Sequence, residues 1–338
     1  MIYTSAGLVV LIVVWFFANR MHRPPVGEIA VQETAELSGA GQEITVTTWN
    51  IGFAGLGAEA DLFIDGGHSL RALNRAKIKT ATNAIADMLP GFQSDIVLLQ
   101  EDAHAGFMTR GIDVHRVIAQ RMAGYSQCFW PDFHSLFTPK PFRFKHGVTT
   151  FSKFHNLTTT ALTMPQDPLY YFGLLKKYYG GIVQKYPIEG QGAWVVINIH
   201  LSAFDNAARQ QQLGVLFAYA LAEYKAGNYV VIGGDWNMRL TDTEFPYDAK
   251  KRPQCDIYDF PPAALPKGWS LVADSTVPSL RAMGAPYIKG KTYSFIVDGF
   301  VVSPNVRGDA VKTHDLQFRH TDHHPVTSKF SCLDKHRV

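Results

Sequence analysis

Apolar positions are distributed very unevenly along the 338 residues. The first block is continuous: from Ile2 to Asn19 the chain reads IYTSAGLVVLIVVWFFAN, with no charge before Arg20. About 20 apolar residues span a bilayer, so the pattern predicts an N-terminal transmembrane helix over residues 1–20, giving a single-pass membrane location. A cleaved signal segment and a buried helix are the alternatives. No basic residue precedes the run and no clear A-x-A site follows it, which speaks against a signal. Arg20 and Arg23 flank its C-terminal side, a weak lean towards a cytoplasmic body. Residues 21–43 hold Pro24-Pro25, acidic and small residues and no sustained period, as expected of a linker.

Beyond residue 43 the pattern shortens. Apolar, β-branched runs predict strands at 44–49, 96–100, 148–152, 194–200, 229–233 and 294–302. Residues 70–89 place Leu70, Leu73, Ile78, Ile85, Met88 and Leu89 on one side of a helix. A second helix is expected over 206–226, with Asp205 as its N-cap and Gly227 as its stop. Strands mixed with helices through one compact region indicate α/β or α+β. The body is expected over 44–331, with a short tail at 332–338.

Composition narrows the chemistry. At 46% hydrophobic the chain can fill one large core or two small ones. A formal net charge of +3 does not by itself predict nucleic-acid binding. Cys128, Cys255 and Cys332 are far apart; no C-x-x-C pair offers a zinc site, and no disulfide is favoured.

Polar residues recur where strands end: Asn50, Glu101, His200, Asp235 with Asn237, and Asp298. One such residue is an ordinary turn former. A series of acids, amides and imidazoles at strand ends is a pattern for an active site on a rigid scaffold. Carboxylate oxygens suit a hard cation such as Mg²⁺, which keeps water and substrate oxygens in its remaining positions. The terminal RHTDHHPV, at 319–326, offers three histidines, but nothing else in the chain resembles a zinc ligand set.

The ordered motifs TTWNIG (48–53), LLQED (98–102), HGVTTFSKF (146–154), NIHLSA (198–203), GGDWN (233–237), VDGFVVS (297–303) and TDHHPV (321–326) together resemble the endonuclease/exonuclease/phosphatase superfamily, across essentially the whole body. The resemblance implies a DNase I-like, four-layered α/β sandwich of two packed mixed β-sheets flanked by helices. It implies a metal-dependent phosphoric ester hydrolase using Mg²⁺, with Mn²⁺ as the alternative. Glu101 would be the principal metal ligand, with Asn50 and Asp322 beside it. Asp235 would orient and deprotonate the attacking water, and Asn237 would hydrogen-bond the phosphate. His200 would face the phosphate with Asp298 behind it; Asp322 would support His323. His320 and His324 have no role in that pattern. Two departures, Trp236 for phenylalanine and Thr321 for serine, leave the chemistry intact.

Two stretches bear on substrate. TPKPFRFKH at 138–146 interleaves Lys140, Arg143 and Lys145 with Phe142 and Phe144, either a phosphate-binding edge or a solvated basic face. LYYFGLLKKYYGGI at 169–182 sets Lys176 and Lys177 among five aromatics, either a segment resting at lipid headgroups or a hairpin packed on the body. A phosphodiester in nucleic acid or phospholipid is the expected substrate. A phosphomonoesterase of inositol-phosphate type and a non-catalytic scaffold with this fold are the alternatives. The donor set is compatible with one ion or two.

Overall fold

A computed structural model of the chain describes residues 7–15, 24–34, 37–71, 73–135, 138, 142–167, 177–248 and 257–333. Along the chain the helices are α1 (residues 7–15), α2 (Arg75–Met88), α3 (Val114–Arg121) and α4 (Asn206–Lys225). The strands are β1 (Gly27–Glu28), β2 (Glu43–Asn50), β3 (Ile96–Ala103), β4 (Ser126–His134), β5 (Lys145–Ser152), β6 (Thr158–Thr163), β7 (Gly180–Pro187), β8 (Ala193–His200), β9 (Tyr229–Asp235), β10 (Ser270–Val272), β11 (Leu280–Arg281), β12 (Ser294–Phe295), β13 (Asp298–Val302), β14 (Val306–Thr313) and β15 (Val326–Cys332). They form a sheet in the order β1-β6-β7-β8-β9-β13-β10, a second in the order β14-β15-β2-β3-β5-β4, and the ribbon β11-β12.

Alternation along the strands explains the layering. Ile44, Val46, Ile96 and Leu98 face Trp194, Val196, Val231 and Phe300 in a core between the two sheets. Their odd or even neighbours point outward: Trp49, Val97 and Leu99 meet Ile78, Ile85 and Ile118 of α2 and α3. On the other side Val195, Ile197 and Ile232 meet Leu213, Leu216 and Phe217 of α4. Central strands are therefore apolar on both faces, which is why they read as continuous runs. The parallel pairs β2/β3 and β8/β9 are each joined through a helix, the crossover that parallel neighbours require. The result is the expected four-layered α/β sandwich. The glycine pair at the end of β9 lets the sheets approach: a Cβ on Gly233 would stand 2.6 Å from the Phe300 ring and 2.8 Å from Leu98.

Several expectations are adjusted. The helix expected from residue 70 starts at Arg75, because the Asn74 side chain accepts from Lys77 N–H at 3.0 Å and caps it. The strand expected over 294–302 is split, since the Ser279 hydroxyl takes the N–H groups of both Val297 and Asp298, each at 2.9 Å. The expected linker is laid on the body. β1 pairs with β6, and the buried indoles of Trp130 and Trp194 donate to the carbonyls of Pro25 and Gly41 at 2.8 Å. A free sheet edge and two indole donors give this segment partners.

The expected transmembrane helix is not seen. Among the described residues no helix is long and apolar enough to cross a membrane. α1 covers 7–15, about 13 Å at 1.5 Å per residue, against a hydrocarbon core of about 30 Å. The rest of the apolar run lies outside the described residues, as do Lys140, Lys176 and Cys255. Cys128 and Cys332 are free thiols.

Candidate active site

The register of three neighbouring strands assembles one side of the site. His200 on β8 stands opposite Asp235 on β9, and Asp235 stands opposite Asp298 on β13. Directly opposed residues share a face of the sheet, so the three groups form a row at its edge. Asp235 is the hub. Its Oδ2 accepts from Asn50 Nδ2 at 2.9 Å and lies 3.5 Å from His200 Nε2 and 3.7 Å from His323 Nε2. Its Oδ1 accepts the Asn237 backbone N–H at 2.9 Å. Asn237, at φ 50, donates its side-chain amide to the Leu201 carbonyl at 2.9 Å.

The carboxylate behind each histidine differs from expectation. Asp298 Oδ2 meets His323 Nδ1 at 2.7 Å, not His200. The strand order explains it: β9 lies between β8 and β13, so Asp235 separates Asp298 from His200. Nor does the Asp322 carboxylate back His323; its Oδ1 lies 3.1 Å from the Thr321 hydroxyl. Burial alone would lower the His323 pKa, but the carboxylates of Asp298 and Asp235 outweigh it and hold the imidazolium well above the usual range. His200 goes the other way, pulled down to about 3 by burial and then by the Lys177 ammonium.

The other side of the site is built from oxygen. β2 and β3 pair through Asn50 and Gln100, and the register slips between Leu99 and Asp102. Glu101 sits in that bulge at φ 53, which turns its side chain out of the alternation. On the opposite flank Asp102 is held by Thr149 Oγ1 and His115 Nδ1, both at 2.6 Å. Asn50 Oδ1 accepts from Gly52 N–H at 3.0 Å. Asp322 comes close only because residue 52 is glycine, where a Cβ would stand 2.8 Å from Asp322 Oδ1. Burial, and then Asp322, raise the Glu101 pKa against the pull of Lys177. Asp65, in the turn Phe63–Asp65, is raised to about 6 by burial and by Asp322 and Glu101. Three carboxylates thus repel one another across a small volume, and all donors are hard oxygens. This set fits a divalent cation of the Mg²⁺ or Mn²⁺ kind.

Asp235, Asp298 and His323 also bring ligating atoms within 4.8 Å of one another. Two of them, Asp298 and His323, already share the 2.7 Å hydrogen bond.

Reading the sequence missed a third group. Lys177 Nζ lies 3.5 Å from Glu101 Oε1, 3.7 Å from Asp132 Oδ2 and 3.4 Å from His200 Nδ1. Asp132 also bonds His146 Nδ1 at 2.7 Å. Burial would raise Asp132, yet His146 and Lys177 bring it down to about 2. His146 opens the HGVTTFSKF motif and Lys177 stands in the aromatic-basic stretch, so both were visible without their meeting being so. Tyr178 and Tyr179 of that stretch are buried in the body, which leaves none of its described residues at a lipid boundary. In the other basic stretch Phe144 packs on Phe107 and Phe133 while Phe142 is exposed. His324 is structural: buried, it bonds the Pro278 carbonyl at 2.7 Å, accepts from Phe318 N–H at 3.1 Å and stacks on that ring.

Comparison with known proteins agrees with this architecture. A sequence search of curated proteins finds no match. Among solved structures, an endonuclease/exonuclease/phosphatase from Beutenbergia cavernae is similar with TM-score 0.54 and 16% identity, over 86% of this chain and 72% of that one. D. rerio TDP2 with a single-strand DNA product gives 0.53 and 16%, over 86% and 99%. The human Nocturnin catalytic domain with bound sulfate gives 0.52 and 18%, over 87% and 96%. At such identities the likeness is one of fold. The sequence itself carries the assignment further: the model of the Endonuclease/Exonuclease/phosphatase family matches residues 47–321, and the chain belongs to that family.

Proposed function

We propose that the chain is a divalent-metal-dependent phosphodiesterase that hydrolyses its substrate by direct attack of water. The observation that carries this reading is Asp235: one buried carboxylate oxygen faces the Asn50 amide and the Nε2 atoms of both His200 and His323. Phosphoryl transfer asks the protein mainly for positioning and charge neutralisation. Asp235 is placed to hold a water and take its proton as the new P–O bond forms. The His323 imidazolium, fixed by Asp298, donates to the phosphate and protonates the departing oxygen as the old bond breaks. Neutral His200 supplies a second donor. Glu101, Asn50 and Asp322 would hold Mg²⁺, which when bound polarises the phosphate oxygens. The single-strand DNA product in the D. rerio relative favours nucleic acid over phospholipid as the class of substrate.

The full chain with Mg²⁺ or Mn²⁺ is expected to cleave bis-p-nitrophenyl phosphate and to stop with EDTA, with Asp235→Asn and with His323→Ala. Hydrolysis that survives both substitutions overturns the site. A panel of DNA, RNA and phospholipid then separates the substrates. We also infer that the apolar segment attaches the enzyme to a membrane, since α1 leaves Leu8 to Val14 exposed. Recovery of the chain in the soluble fraction without detergent would refute that.

A further inference from the structure

The scheme above gives the buried ammonium of Lys177 no task. The Lys177 side chain is 11% exposed and stands between the end of β3 and the end of β8. Its ammonium reaches Glu101, Asp132 and His200 at 3.4–3.7 Å, and none of these is close to the roughly 2.7–2.9 Å of a strong charge-assisted hydrogen bond. Two carboxylates balance its charge, and with burial working against them they still hold it above the ordinary lysine range. An ammonium withdrawn from water needs its protons satisfied at short range. This one has charge partners but under-used donors, as suits a group built to receive another anion. Its position says which anion: a phosphate lying between the Glu101 side and His200 comes within its reach.

We propose that Lys177 is a catalytic residue, its ammonium binding a non-bridging oxygen of the substrate phosphate as a fixed positive charge beside a single divalent ion. This rests on the phosphodiesterase reading. Lys177 then neutralises charge that builds on the phosphoryl oxygens. By donating to His200 Nδ1 it also keeps that ring's proton on Nε2, the nitrogen facing Asp235 and the phosphate.

The test uses the full chain in mild detergent, with Lys177→Met and the more polar Lys177→Gln in case methionine prevents folding. Calorimetry reads the binding of Mn²⁺ alone and of inorganic phosphate with Mn²⁺ present; turnover is read on bis-p-nitrophenyl phosphate. One Mn²⁺ per chain is expected. In the variants Mn²⁺ affinity stays equal or rises, because a positive charge beside Glu101 is gone. Phosphate affinity falls at least about tenfold, and kcat falls roughly 10²- to 10³-fold, the cost of losing one preorganised donor. Unchanged phosphate affinity in a folded variant overturns the proposal, as do two Mn²⁺ ions per wild-type chain. Should the wild type bind phosphate through Lys177 yet cleave no ester, the functional reading fails and the anion site stands. If the wild type cleaves esters and the variants equal it, the reverse holds.

Discussion

His200 and His323 face the same carboxylate oxygen from two sides, yet their surroundings push them apart. Behind His323 is Asp298, at 2.7 Å from Nδ1; behind His200 is Lys177, at 3.4 Å from Nδ1. Both rings are almost fully buried, so burial pushes both towards the neutral form and the group behind each ring makes the difference. A carboxylate makes the first an imidazolium; an ammonium and desolvation keep the second neutral. One residue type thus supplies an acid and a neutral donor within a single site, which is how neighbouring groups assign roles.

The sharpest way to break that asymmetry is Asp298→Asn. The amide cannot stabilise the imidazolium, and it can donate to Nδ1 and impose the wrong tautomer. By analogy with buried aspartate–histidine pairs elsewhere, kcat on bis-p-nitrophenyl phosphate is expected to fall on the order of 10³- to 10⁴-fold. The fold and Mn²⁺ affinity should stay near wild type. A loss under tenfold would place the proton donor elsewhere.

The same contrast predicts opposite pH limbs for stability of the metal-free protein. The folded pKa of His200 is depressed to about 3. Its contribution is fully present above the unfolded value of about 6.5 and is lost as pH falls from there towards 3. The folded pKa of His323 is raised, so its contribution is complete below about 6.5 and fades as pH rises through the folded value. Each limb can slope by at most about 1.4 kcal/mol per pH unit. Urea unfolding from pH 4 to 9 should show His200→Asn flattening the acid limb and His323→Asn flattening the alkaline one. An acid limb that is the same with and without His200 would show that its surroundings do not lower this ring's pKa.

Most of the scaffold was legible because buried strands leave continuous β-branched runs and because the motifs occur in order. The row of His200, Asp235 and Asp298 was legible as three strand ends. Which carboxylate served which histidine was not, since that follows from β9 lying between β8 and β13, an order of strands no local pattern carries. Among the longer strands β4, β6, β7, β14 and β15 were missed: Gln-Cys-Phe-Trp-Pro at 127–131, Thr-rich 158–163 and Gly-Gly at 180–181 dilute the strand signal, and charged residues interrupt 306–313 and 326–332. Lys177 and Asp132 escaped for the same reason. Lys177 meets Asp132 from 45 residues away in the chain and Glu101 from 76, and a pair of lysines beside tyrosines reads as surface.

Beneath both histidines the two sheets share a polar floor. Gln100 Nε2 donates to Asn198 Oδ1 at 2.8 Å, and Asn198 Nδ2 donates to the Thr149 carbonyl at 2.9 Å. Gln100→Leu leaves Asn198 short of a donor in a buried place and should cost about 1–3 kcal/mol. Gln100→Leu with Asn198→Leu should cost less than the sum of the two single changes, because the orphaned partner is removed as well. Thermal unfolding of the three variants checks it; strict additivity would mean the amides do not depend on each other.

The smallest effect expected is at Trp236, one residue from Asp235. Its side chain points away from both histidines, is wholly buried, donates Nε1–H to the Gly299 carbonyl at 3.1 Å and packs on Phe217 and Phe260. Trp236→Phe loses that hydrogen bond, about 1 kcal/mol, and some packing volume in the layer beneath α4. Asp235 itself is fixed by Asn50 and by the Asn237 N–H, neither of which the indole touches. Unfolding should therefore shift by a few degrees while kcat stays within about twofold. A large fall in kcat at unchanged stability would instead tie the orientation of Asp235 to the packing behind β9, and the contrast between the two histidines would then rest on the α4 layer as well as on Lys177 and Asp298.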